Sequence, residues 1–123
     1  MQKKVHLTRR SQYKLVYSRG KSWTNRLLVM RALPNDLICT RYGLSVGKRV
    51  GNAVTRNRVK RLLRENIRLI ESKPGWDVVF IARDAASGNN YHNIGNAVKD
   101  LLHRSHLLIE ERDKQVLKKE QTS

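Results

Sequence analysis

Residues 43–68 read GLSVGKRVGNAVTRNRVKRLLRENIR, with eight basic side chains (Lys48, Arg49, Arg56, Arg58, Lys60, Arg61, Arg64, Arg68) against one acid, Glu65. Val59, Leu62, Leu63, Ile67 and Ile70 interrupt the charge at i, i+3, i+4 spacing. That spacing predicts a helix with one buried stripe. Arg56, Lys60, Arg64 and Arg68 recur every four residues, so they share another face. A helix fixed to a core by one face holds such a row at set positions, which suits a polyanion with regularly spaced phosphates.

Working outward, Asn52 is a plausible cap for this helix, and Lys73-Pro74-Gly75 lies beyond its end. Gly47 and Gly51 bracket a basic loop, Lys48-Arg49-Val50. Residues 37–46 alternate as a strand with two unlike faces. Pro34-Asn35-Asp36 marks a turn, and residues 22–32 read as one preceding strand. Thr8 is placed to cap a first helix over about 8–18 that ends at Gly20. Residues 77–83 contain VVFIA, an apolar run expected of a strand covered on both faces. Asn93 opens a last amphipathic helix whose buried side includes Ile94, Val98, Leu101, Leu108 and Ile109. The order is helix, strand, strand, helix, strand, helix. Amphipathic helices need a sheet face, so the class is α+β or α/β with a small sheet. Residues 1–110 form one expected domain, followed by a polar tail over 111–123.

The chain has 123 residues, 26 Lys plus Arg and 10 Asp plus Glu, a formal net charge of +16. Self-repulsion at that charge calls for a standing anionic partner, with nucleic acid first and an anionic membrane surface second. No run approaches the roughly 20 apolar residues of a membrane span, and the N-terminus lacks the pattern of a secretory signal. A single cysteine, Cys39, excludes an internal disulfide and a cysteine-based metal cluster. A cytoplasmic protein without a membrane partner is the expectation.

No catalytic constellation is legible. His103 and His106 are three apart but lack a third ligand at metal spacing. The tail carboxylates are poorly placed to orient an acid–base pair. The basic segment is richer. Arginine presents a planar fork to phosphate or base, and Lys acts as a point charge. Helical geometry sets Arg56 and Arg58 about 200° apart, so one can face RNA while the other braces the loop or a second strand. Tyr13 and Tyr17 lie one turn apart among Arg9, Arg10 and Lys14. They, with Tyr42 on a strand, suit either a stacking platform for unpaired bases or packing of a helix on the sheet.

The run GLSVGKRVGNAVTRNRVKRLLRE closely resembles the signature of the bacterial ribonuclease P protein family, and the resemblance extends from Leu7-Thr8-Arg9 through the last helix. It implies a two-layer sandwich like the second domain of ribosomal protein S5, with a small sheet packed by helices and an uncommon left-handed βαβ crossover. It also implies a protein that is monomeric within a ribonucleoprotein. The partners are a catalytic RNA and precursor tRNA, whose 5′ leader is hydrolysed with Mg²⁺ held mainly by the RNA. The protein is then an accessory subunit of an endoribonuclease and has no catalytic residue of its own. By position, Lys48, Arg49, Asn52, Arg56, Asn57, Arg58, Lys60, Arg61, Arg64 and Arg68 are expected to contact the catalytic RNA. Tyr13, Tyr17, Arg31 and Tyr42 are expected at the leader; Arg31 stands where the family often has a cleft aromatic. Two rival readings are a ribosomal-type protein that binds structured RNA without a cleavage role and a DNA-binding regulator that sets the basic helix in a groove.

Overall fold

A computed structural model describes residues 4–109. The elements are β1 (Val5–His6), α1 (Arg10–Arg19), β2 (Lys21–Thr24), β3 (Leu28–Pro34), β4 (Arg41–Ser45), α2 (Ala53–Leu69), β5 (Trp76–Ala82) and α3 (Tyr91–Arg104). Short 3-10 turns occupy Lys48–Val50 and Asp84–Gly88. The five strands form one mixed sheet in the order β1-β4-β5-β3-β2. β1 and β5 run parallel to β4, while β3 runs antiparallel to β5 and β2. The class is α+β, with a parallel β4–α2–β5 unit at its centre.

β5 is central because its sequence allows it. Val78, Val79 and Phe80 are all fully buried, as an uninterrupted apolar run permits. Alternation sends Val78 and Phe80 to one face, where they meet Leu28, Met30 and the apolar stripes of α2 and α3. Val79 points the other way, into a smaller cluster with Leu7 and Val16 of α1. The helices therefore divide between the two sheet faces, α2 and α3 on one and α1 on the other.

The basic helix forms as its sequence predicts. Asn52 accepts the Thr55 N–H at 2.9 Å, a cap worth about 1 kcal/mol. Val59, Leu62, Leu63 and Ile67 are buried; each contributes roughly 1.5–3 kcal/mol by leaving water. Asn66 is also buried and joins α2 to α3, its amide donating to the Leu62 and Tyr91 carbonyls. Gly95 allows that contact, since a β-carbon there would lie 2.4 Å from Asn66 Oδ1.

Several expected boundaries change. The single strand over 22–32 is a hairpin, β2 and β3, broken at Asn25. The Asn25 carbonyl oxygen Oδ1 accepts the Leu27 and Leu28 N–H groups, while its amide donates to Ala97 and Asp100. A short polar side chain thus competes with the ladder for backbone donors. The strand expected over 37–46 narrows to β4, because Asn35 locks the preceding loop through Leu37, Cys39 and Asp77. At α1, Gln12 and not Thr8 supplies the cap, accepting the Thr8 and Arg9 N–H groups at 3.0 Å each. α3 begins earlier, capped by Asn90, and stops at Arg104, so Leu108 and Ile109 follow it and Leu108 bridges to Ser72. β1 has no sequence signal, being two residues long. The tail over 111–123 lies outside the described residues.

Candidate nucleic-acid interface

The cations of α2 separate into different jobs. Arg64 and Arg68 are exposed, and Lys60 and Arg56 half-buried. Arg56 Nε is shielded from solvent and has no hydrogen-bond partner among the described residues, an unmet donor in a cationic row. Asn57 and Arg61 are exposed. The Arg61–Glu65 contact is 4.0 Å with both side chains solvated, so it neutralises little. Arg58 faces elsewhere, as the helical angle requires. Its guanidinium donates to the Ser87 carbonyl at 3.2 Å and the Asn89 carbonyl at 2.8 Å. It therefore braces the segment leading into α3. Asn52 has its side-chain oxygen committed to the cap.

On the opposite helix, the Tyr13 ring lies on Gly43, where a β-carbon would sit 2.6 Å from Cε1. Tyr17 follows with its ring centroid 6.5 Å away and a 40° tilt, and 39% of its surface exposed. The two rings form a partly open aromatic pair on α1. Arg31 does not offer a free fork. It donates to the carbonyls of Val16, Tyr17 and Gly20 at 3.4, 2.7 and 3.0 Å. A cation at those terminal carbonyls also suits the helix dipole. Arg31 thus ties α1 to the sheet and sets where Tyr17 stands.

Tyr42 departs from its expected place at the leader. It is 2% exposed, in the core cluster with α2, and its hydroxyl is hydrogen-bonded to Ser72. Strand alternation turns it away from the face beneath Tyr13, so its ring is closed to a base. Burial raises its phenol above the ordinary range, with the Ser72 bond opposing. The Lys4 amine lies 5.9 Å from the Tyr42 ring centroid and donates to the Ile70 carbonyl. Burial holds Lys4 below its ordinary range, partly offset by Glu71. Arg41 is likewise spent, bidentate on Asp77 at 2.7 Å for each bond.

Two clefts gather further cations. The smaller, about 210 Å³, sits at the β4 edge between α1 and α2; His6, Tyr13, Gly43, Lys60 and Arg64 are among its walls. The larger, about 720 Å³, opens at the carboxyl ends of β4 and β5. Lys48, Arg49, Arg26 and Arg83 line it against one acid, Asp84, with Ser45 and Ile81 also in its wall. Arg26 and Arg83 escaped the sequence reading because the hairpin escaped it. Asn25, a turn-former inside an apolar run, was the available signal. Arg83 donates to the Asn25 carbonyl at 2.7 Å, which fixes this wall of the cleft. Among the described residues, no three His, Cys, Asp or Glu side chains come together to hold a metal ion.

Fold and site together define a small basic α+β domain, with cations and aromatics set around one sheet edge. The family model for ribonuclease P matches residues 1–106. A ribonuclease P protein component of Clostridium kluyveri is 42% identical over 105 residues, 82% of this chain and 94% of that one. One of Dehalococcoides mccartyi is 44% identical over 108 residues, 88% of this chain and 90% of that one. The solved structure of the Staphylococcus aureus RNase P protein superposes with a TM-score of 0.77 at 29% identity, covering 87% of this chain and all of that one. The chain belongs to the ribonuclease P protein family. Membership implies a part in tRNA 5′ processing, within an endoribonuclease complex that contains the ribonuclease P RNA.

Proposed function

We propose that this chain is the accessory protein of a ribonuclease P ribonucleoprotein, binding the catalytic RNA and the 5′ leader of precursor tRNA. The α2 row, Arg56, Lys60, Arg64 and Arg68, takes phosphates of the catalytic RNA, assisted by Asn57, Arg61, Lys48 and Arg49. The leader runs past Tyr17 and Tyr13 on the α1 side of the sheet. The observation that carries this reading is convergence at one edge. Tyr13 rests on Gly43, and Lys60 and Arg64 line the same cleft. A protein built so supports both strands at once, favouring precursor over mature tRNA.

We assign catalysis to the RNA subunit, the role that the family resemblance implies for it. Mg²⁺ is assigned mainly to the RNA, and no step of the reaction is routed through this chain. The protein's cations reduce phosphate repulsion and so help the RNA keep its ions. One copy acts per ribonucleoprotein, in the cytoplasm. The test is the affinity of the assembled complex for precursor and mature tRNA. The precursor should bind more tightly, and the difference should shrink as the leader is trimmed away. Equal affinity for both would overturn the leader assignment.

A further inference from the structure

We propose that His6 makes RNA binding proton-linked, by joining Lys60 and Arg64 around one phosphodiester in the cleft at the β1–β4 edge. The proposal rests on the reading of the chain as an RNA-binding subunit. β1 pairs with β4 only at Arg41 and Tyr42. Beyond that point Gly43 and Leu44 line the cleft. His6 is the register partner of Tyr42, so it points to the same side of the sheet, toward α2. It is exposed, as is Arg64, and Lys60 is half-buried. Neither Lys60 nor Arg64 has an ion pair or hydrogen bond among the described residues.

The described groups lining the cleft around His6 are cationic or neutral. α2 contributes Lys60 and Arg64; α1 contributes the Tyr13 phenol; β4 contributes Tyr42, whose hydroxyl is turned to Ser72. On its own strand, the Lys4 amine is directed to the Ile70 carbonyl. Among the described residues, no carboxylate lines the cleft. An imidazolium formed there meets no carboxylate among the described lining residues, and Glu71, which acts on Lys4, is not one of them; the ligand supplies its counter-charge. A phosphodiester meets this need: it is anionic throughout the neutral range and does not itself titrate there. Protonated His6 offers two N–H donors and a charge where the neutral ring offers one donor. Binding therefore takes up a proton at His6, and affinity rises as pH falls. His92, His103 and His106 lie on or after α3 and do not line this cleft.

The phosphate belongs either to the catalytic RNA or to the precursor leader, and two measurements separate them. One is the affinity of the protein for catalytic RNA. The other is the affinity of the assembled complex for precursor tRNA. Both are taken at fixed ionic strength between about pH 8 and about pH 6. Wild type should tighten about three- to tenfold toward the acid end in the arm that holds the phosphate; one proton allows at most about tenfold per pH unit. His6→Gln should remove that gain and match wild type near pH 8, with an unchanged melting temperature. His6→Lys should bind tightly at both ends. Parallel profiles for wild type and His6→Gln in both arms would overturn the proposal alone. Absence of RNA binding at every pH would overturn it together with the reading beneath it.

Discussion

Tyr13 and Gly43 fit as ring on bare backbone: a β-carbon at Gly43 would lie 2.6, 2.8 and 2.8 Å from the Cε1, Cζ and hydroxyl oxygen of Tyr13. The strand must be bare for α1 to seat its aromatic there. Gly43→Ala should displace the ring and cost roughly 1–3 kcal/mol by overpacking. It should weaken precursor binding while leaving mature tRNA binding less affected. Thermal melting and the two affinities check this. A variant as stable and as discriminating as wild type would contradict the close fit.

Tyr17 is the more open of the pair, at 39% exposure. Stacking of one base is worth about 1–3 kcal/mol. Tyr17→Ala should therefore reduce precursor affinity of the complex by about that amount with a small change in melting temperature. Tyr17→Phe should retain most of the affinity. Equal losses for precursor and mature tRNA would count against a leader contact.

Arg58 and Arg61 sit three residues apart and should fail differently. Arg58 donates to two backbone carbonyls, and hydrogen bonds from a charged donor contribute about 1.5–3 kcal/mol each at most. Arg58→Ala should lower the melting temperature by several degrees and loosen the 84–88 turn. Arg61→Ala should leave melting unchanged and reduce the slope of log affinity against log salt by somewhat under one unit. Hydrogen exchange at Asn89 and Asn93, with salt titration on catalytic RNA, distinguishes the two.

Tyr42 predicts the alkaline limb of stability. Its phenol is raised by burial, with Ser72 opposing. The unfolded chain ionises Tyr42 first, near pH 10. The stabilisation is thus complete below that pH and is lost as pH rises through the higher folded value. Lys4, lowered by burial, acts in the opposite sense, its cost being relieved as pH rises. Tyr42→Phe isolates the phenol. It should lose about 1 kcal/mol at neutral pH with the Ser72 bond and show a shallower decline above about pH 10. Identical alkaline profiles would contradict the assignment.

The sequence displayed what is periodic and hid what is made by a few polar contacts. α2, its Asn52 cap and the doubly buried β5 were legible because apolar spacing and a capping side chain determine them locally. The hairpin was not, since Asn25 breaks the strand by binding α3, a contact 72 residues away. β1 was invisible because two residues carry no period. The basic row was legible as a row, but not that Arg58 is committed to carbonyls or that Arg31 caps α1. Tyr42 read as a strand aromatic with either face open to it, and only packing shows that it faces the core. The aromatic and basic constellations looked separate along the chain. They meet because β4 places Gly43 beneath Tyr13 at the edge that α2 also flanks.

The role proposed for the protein is to support RNA-catalysed leader removal. The direct measurement is single-turnover cleavage of precursor tRNA by catalytic RNA at low Mg²⁺, with and without the purified protein. The protein should accelerate release of the 5′ leader and lower the Mg²⁺ needed. Unchanged rates at every Mg²⁺ concentration, with the protein bound to the RNA, would contradict it.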